Sequence, residues 1–161
     1  MARLMSVAMT EQAVIERHKT VTRRKGWWVD KNGRHLLKPG DRLVLCRKVM
    51  GRKPGEPLVR LAEVEVVDVR REPLRTLLSH RTEWAAREMV REGFPDMNPR
   101  VFVDTFFVAA QGMTLDDDVT RIEWRYLPGV GPIRPWTDDT WTPGIDGRRL
   151  PDVRRECGCL A

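Results

Sequence analysis

The chain runs His18-Lys19-Thr20-Val21-Thr22-Arg23-Arg24 and then, past a loop holding Trp27-Trp28 and the turn Lys31-Asn32-Gly33, Lys38-Pro39-Gly40-Asp41. Thr20, Val21 and Thr22 are β-branched and favour a strand that carries Arg23-Arg24-Lys25 on its second half. Upstream, Thr10 can cap a brief helix through about His18, and residues 2–8 (ARLMSVA) read as a first strand. Pro39 and Gly40 suit the two central positions of a type II turn, which launches the strand Arg42–Lys48.

Working outward, residues 49–57 form a Gly/Pro-rich basic loop before a long strand, Leu58–Arg70. Val64 and Val66 lie in one phase of that strand, Val67 and Val69 in the other. The change predicts a bulge at Val66-Val67 or a strand buried on both faces. Thr82 can cap a helix through Arg91 or Glu92, stopped by Gly93 and Pro95. Asn98-Pro99 opens a second helix through about Gln111, with Val101, Phe102, Thr105, Phe106, Val108 and Ala109 as its buried face. Asp116-Asp117-Asp118 reads as a polar turn rather than a metal cluster, and Val119–Leu127 closes the fold as a strand. From Pro128 onward ten of 34 residues are Pro or Gly without periodicity, which predicts an irregular tail over 128–161 behind one domain over 1–127. The element order predicts an α+β fold built on a small mixed β-barrel with flanking helices.

Composition narrows the function. At 161 residues the chain suits one compact domain, and its 41% hydrophobic and 32% charged content is ordinary for a folded protein. No apolar run is long enough for a membrane helix and no signal-peptide pattern opens the chain, so the cytoplasm is the expected compartment. Cys46, Cys157 and Cys159 form neither a disulfide framework nor a zinc spacing, and no metal or cofactor is expected. The net charge of +6 is unevenly spread. Residues 17–60 hold fourteen Lys or Arg against three acids, whereas residues 61–127 hold nine against thirteen. A basic segment this concentrated fits a phosphate-bearing partner, although a solvated face kept for solubility has the same composition.

The short helix, the K-T-x-T-x-R strand, the K-P-G-D turn and the closing strand Thr120-Arg121-Ile122-Glu123-Trp124-Arg125-Tyr126-Leu127 together resemble the ASCH family of the PUA-like superfamily. The likeness covers about residues 1–127, and the Arg/Val/Asp-rich style resembles proteins of actinobacterial phages or their hosts, which would make the compartment the host cytoplasm. The resemblance implies a PUA-like barrel whose cleft binds RNA or a modified nucleoside. In the small bacterial ASCH amidohydrolases acting on N4-acetylcytidine, a Lys, a Thr three residues later and a distant Glu form the proposed catalytic set. These match Lys19, Thr22 and Glu92, and the following motif Arg matches Arg24.

Elementary chemistry fits that set in part. A Lys acts as a base only when desolvation or nearby positive charge depresses its pKa, and Arg23, Arg24 and Lys25 supply such charge. A Thr hydroxyl needs an adjacent base, and a carboxylate can pass a proton to a leaving amine. Trp84, Glu88 and Glu92 form one i, i+4, i+8 row beside Ala85 and Met89, so Glu92 either faces the body opposite the basic strand or ends in a frayed turn in water. Residues three apart on a strand face opposite sides, so Lys19 and Thr22 converge only if Lys19 sits in the helix-to-strand turn or a bulge intervenes. Arg23, Arg24, Lys25 and Lys38 are the candidate basic contacts. Trp27 and Trp28 either stack on bases, or one of them plugs the barrel end while the other is partly exposed. Three functions follow: a binding domain for RNA or a modified cytidine, with or without amide hydrolysis of an N4-acylated cytidine; a metal-independent ribonuclease; or a non-catalytic basic domain that binds a protein partner.

Overall fold

The computed structural model describes residues 2–26, 28–79 and 82–128. Trp27 and the predicted tail beyond Pro128, with Cys157 and Cys159, lie outside them. Five strands form one sheet: β1 (Arg3–Ser6), β2 (Val21–Lys25), β3 (Arg42–Cys46), β4 (Arg60–Pro73) and β5 (Asp118–Tyr126), in the order β1-β3-β4-β5-β2. β1 pairs with β3 in parallel, and the other pairs are antiparallel. The fold is therefore the expected α+β arrangement on a mixed, curled sheet. It is a half-barrel: among the described residues no ladder joins the edge strands β1 and β2.

The long strand bends where its phase changes. Val66 pairs with Trp124 and Asp68 with Glu123, which leaves Val67 as the extra residue of a bulge with its side chain exposed. Val64, Val66, Ile122 and Trp124 then face one core, together with Leu43, Leu45 and Val14 of helix α1 (Glu11–Ile15). Burial along β3 does not alternate. Leu43, Val44, Leu45 and Cys46 are all buried, because the strand lies inside the sheet with both faces covered.

The helices follow β4. A short turn of helix, α2 (Thr76–Ser79), precedes α3 (Thr82–Glu92), which stops at Gly93 with φ +91°. α4 (Pro99–Val103) starts as expected, with the Asn98 side chain accepting a hydrogen bond from the Arg100 amide at 2.8 Å. The chain then widens into a π-helical segment, Asp104–Ala109. This changes which side faces inward: Phe102 and Phe107, five apart, are buried, whereas Val101, Thr105, Val108 and Ala109, expected inside, are exposed. A second core gathers Leu74, Leu77, Met89, Phe102, Val103, Phe107, Met113 and Val119 between these helices and the sheet.

A candidate nucleoside cleft at the open edge of the barrel

Helix α1 ends earlier than its sequence suggests, and that ending places Lys19. Arg17 takes a left-handed φ of +62°, and the amides of His18 and Lys19 both fold back onto the Ala13 carbonyl. The turn is then tied down from three sides. The Tyr126 hydroxyl donates to the Lys19 carbonyl at 2.6 Å, Thr20 N donates to the Arg91 carbonyl, and Trp124 N donates to the Thr20 carbonyl. Burial pushes the Tyr126 phenol up to about 12. Lys19 thus sits in the helix-to-strand turn, the position from which it can meet Thr22 of β2.

The Lys19 ammonium is 3% exposed and turned toward the end of α3. Nζ donates to the Glu92 carbonyl oxygen at 2.5 Å, lies 3.5 Å from Glu92 Oε2, and sits 5.9 Å above the Trp124 ring. Burial lowers its pKa below the ordinary lysine value. Glu92 pulls the other way, and Arg24 and Arg23 reinforce the fall. Glu92 faces the body and not water, as its place in the Trp84–Glu88–Glu92 row allowed.

Behind Glu92 lies a buried ion network that the sequence reading did not assemble. Arg23, expected on the basic rim, is 5% exposed and holds three carboxylates. Its Nε donates to Glu72 at 2.8 Å, Nη2 to Glu88 at 2.6 Å and Nη1 to Glu92 at 2.8 Å. Arg121, its antiparallel partner on β5, grips Glu88 with Nε at 3.0 Å and Nη2 at 2.9 Å, and reaches Glu123 with Nη1 at 2.8 Å. Burial pushes the Glu88 carboxyl up, but the two arginines outweigh it and hold the group down at about 2. Two like charges directly opposite on paired strands repel, so Arg23 and Arg121 require an acid between them. That cross-strand pairing was the missed signal. It appears only once β2 and β5 are known to be neighbours, and Glu72 comes from a third segment.

These residues back onto a cleft of about 340 Å³ in the unclosed edge between β1 and β2. Its lining joins the polar residues Lys19, Thr22, Arg23, Arg24, Lys25 and Glu92 to the segment from Ser6 to Thr10 and to Phe94, Phe102, Phe106 and Phe107. All three residues matched to the catalytic set therefore share one cavity, of a size that holds a small organic ligand. Arg24 spans the gap in the barrel, donating from Nη2 to the Ser6 carbonyl at 2.6 Å. Lys25 is exposed at the mouth, where Nζ donates to the Gln111 carbonyl at 3.1 Å. The other candidates stand apart. Trp28 packs half-buried against the first core, in keeping with its structural reading, and Lys38 is exposed at its turn, away from the cleft lining. Asp117 serves the turn, accepting from Thr114 N at 2.7 Å, and Asp118, the first residue of β5, pairs with Arg71 of β4 at 2.6 Å. Among the described residues no His, Cys, Asp and Glu cluster is arranged to hold a metal ion, and no helix is long and apolar enough to cross a membrane.

No protein-family model and no curated protein sequence matches the chain. Solved structures do match its shape. The ASCH protein of Zymomonas mobilis aligns over 82% of this chain and 70% of its own, at 17% identity and a TM-score of 0.50. Protein EF3133 of Enterococcus faecalis V583 aligns over 79% of this chain and 76% of its own, at 13% identity and a TM-score of 0.50. At such identities the likeness speaks for the fold alone. With its mixed half-barrel, its flanking helices and a cleft at the open edge, the chain has the fold of the ASCH domain.

Proposed function

We propose that the cleft binds an N4-acylated cytidine, free or within RNA, and hydrolyses its amide. The observation that carries this reading is the buried Lys19 ammonium on the wall of a cleft it shares with Thr22 and Glu92. A lysine whose pKa is lowered chiefly by burial can spend time neutral and accept a proton, which a hydrated surface lysine does not do near neutrality.

The step balances with this chain's residues and water. Thr22 Oγ attacks the acyl carbon while Lys19 Nζ takes the hydroxyl proton. The bond from the acyl carbon to N4 breaks, and Glu92, in contact with Lys19, passes the proton to the departing amine. Water then adds to the acyl carbon of the Thr22 ester and passes a proton through Lys19 to Thr22 Oγ as the acyl C–Oγ bond breaks, which releases the carboxylic acid and restores the hydroxyl. Arg23 holds one Glu92 oxygen and so keeps the carboxylate turned toward Lys19.

Incubation with N4-acetylcytidine, followed by chromatography, tests the reading. The wild-type chain should release cytidine. Lys19→Ala and Thr22→Ala should each lose about 10²–10⁴-fold in rate while keeping a cooperative melt. A folded wild-type chain that releases no cytidine, from the nucleoside or from acetylated RNA, sinks the proposal. Fragmentation of single-stranded RNA that disappears in Arg24→Ala would replace it with the ribonuclease reading.

A further inference from the structure

Two features of the cleft are unused by amide hydrolysis. The first is Arg24. Its neighbour Arg23 is neutralised by three carboxylates, but Arg24 spends one N–H on the Ser6 carbonyl, and its buried Nε has no hydrogen-bond partner. Glu92 acts on it only through space, and Glu92 is already held by Arg23 and Lys19. A guanidinium largely withdrawn from water without a carboxylate beside it is costly, and an anion entering the cleft removes that cost. A phosphate suits the planar fork better than it suits an ammonium. Lys25, exposed at the same wall, adds a second positive charge at the mouth.

The second feature is the apolar part of the lining. All four phenylalanines of the chain gather there: Phe94, Phe102, Phe106 and Phe107. Phe102 and Phe107 are buried, whereas Phe94 and Phe106 stay half-buried with ring centroids 5.2 Å apart and border the cavity. The π-helical segment is what brings Phe106 to the cleft beside a buried Phe107. A ring surface sharing one cavity with a guanidinium that has no carboxylate hydrogen-bonded to it matches a flat heterocycle that carries an anion.

We infer that the cleft takes a nucleotide in preference to a nucleoside, with the heterocycle against Phe94 and Phe106 and a phosphate at Arg24 and Lys25. This rests on the reading of the cleft as a cytidine site. The phosphate belongs either to a mononucleotide or to an RNA strand, and ligands of each kind separate the two. Titration calorimetry of the wild-type chain should show N4-acetylcytidine 5′-monophosphate binding about 10–100-fold more tightly than N4-acetylcytidine, the range of a charged hydrogen bond. Arg24→Met should erase the difference between the two, and Lys25→Gln should reduce it. Phe106→Leu should weaken both ligands by a similar factor, about tenfold, and leave their ratio unchanged. A trinucleotide with a central N4-acetylcytidine assigns the phosphate to RNA if it outbinds the monophosphate, and to a mononucleotide if it binds less tightly.

Equal wild-type affinity for nucleoside, monophosphate and trinucleotide overturns this inference and leaves amide hydrolysis standing. Phosphate-dependent binding that is lost in Arg24→Met, without cytidine release, supports the inference while the hydrolase reading fails. If Arg24→Met does not fold, the wild-type ratio and the Lys25→Gln ratio decide alone.

Discussion

Arg23 and Glu88 show how much of this site is settled by buried ion pairs among its own side chains. Glu88 is 1% exposed and takes hydrogen bonds from Arg23, Arg121 and Arg91. Replacing it by Gln leaves two buried guanidinium groups with less negative charge than their geometry was built around. Such a change should cost about 3–5 kcal/mol, read as a lower urea midpoint. Acid should act on the same group. Its carboxyl is held at about 2, below its unfolded value, so its contribution is present above about pH 4.5 and is lost as pH falls toward 2. The wild-type chain should therefore lose stability through that window, and Glu88→Gln should lose less of what it has. Lys19 gives the opposite pH signature in activity. It must be neutral to act as base, so kcat/KM should rise with pH and level off below the ordinary lysine range. The helical row that Glu92 shares with Trp84 left it two places, against the body or in a frayed last turn, and the fold decides between them. Arg23 could not be assigned to the inside, because the acids that neutralise it come from β4 and α3, and nothing local to β2 marks which of its faces will meet them.

At the scale of elements, the junction after α3 is the most sensitive point. Gly93 has φ +91°, and a Cβ there would lie 3.0 Å from Thr10 Cβ and Cγ2 and 3.1 Å from Ala13 Cβ. Gly93→Ala should combine left-handed backbone strain with overpacking, a loss of about 2–4 kcal/mol. It should also slow turnover, because the preceding residue, Glu92, carries both oxygens that hold Lys19. Asn98→Ala removes a single cap and should cost about 1 kcal/mol in thermal or urea unfolding, with turnover nearly unchanged. The order of elements along the chain, the phase change at Val66-Val67, the stop at Gly93 and the cap at Asn98 were legible because each is written in local residue types, whereas the order of the strands in the sheet was not. The π-helical segment was not. Periodicity at 3.6 residues put Val101, Thr105, Val108 and Ala109 inside, and only the packing of Phe102 against Phe107, centroids 5.6 Å apart, reveals the wider turn.

Across the whole molecule, the cleft exists because the barrel does not close. β1 and β2 remain apart, the Arg24 side chain crosses between them, and the helices after β4 bring Glu92 and the phenylalanine wall to the opening. The motif segment therefore brings Lys19, Thr22 and Arg24, the proposed base, nucleophile and anion contact, to the cleft, and distant segments bring Glu92 and the phenylalanines. That division explains why the resemblance carried by one stretch singles out Lys19, Thr22 and Arg24, whereas nothing in that stretch marks the apolar part of the lining. The uneven charge also takes shape at this scale: part of the acid-rich half of the chain, Glu72, Glu88, Glu92 and Glu123, is spent inside on Arg23 and Arg121. The central claim is that Thr22, activated by Lys19, carries the acyl group. Its most direct measurement is mass spectrometry of the wild-type chain quenched in acid during turnover of N4-acetylcytidine. The account predicts an acetyl ester on the peptide holding Thr22, absent in Thr22→Ala. Release of cytidine with no acylated chain, or with the acetyl group on another residue, would contradict it.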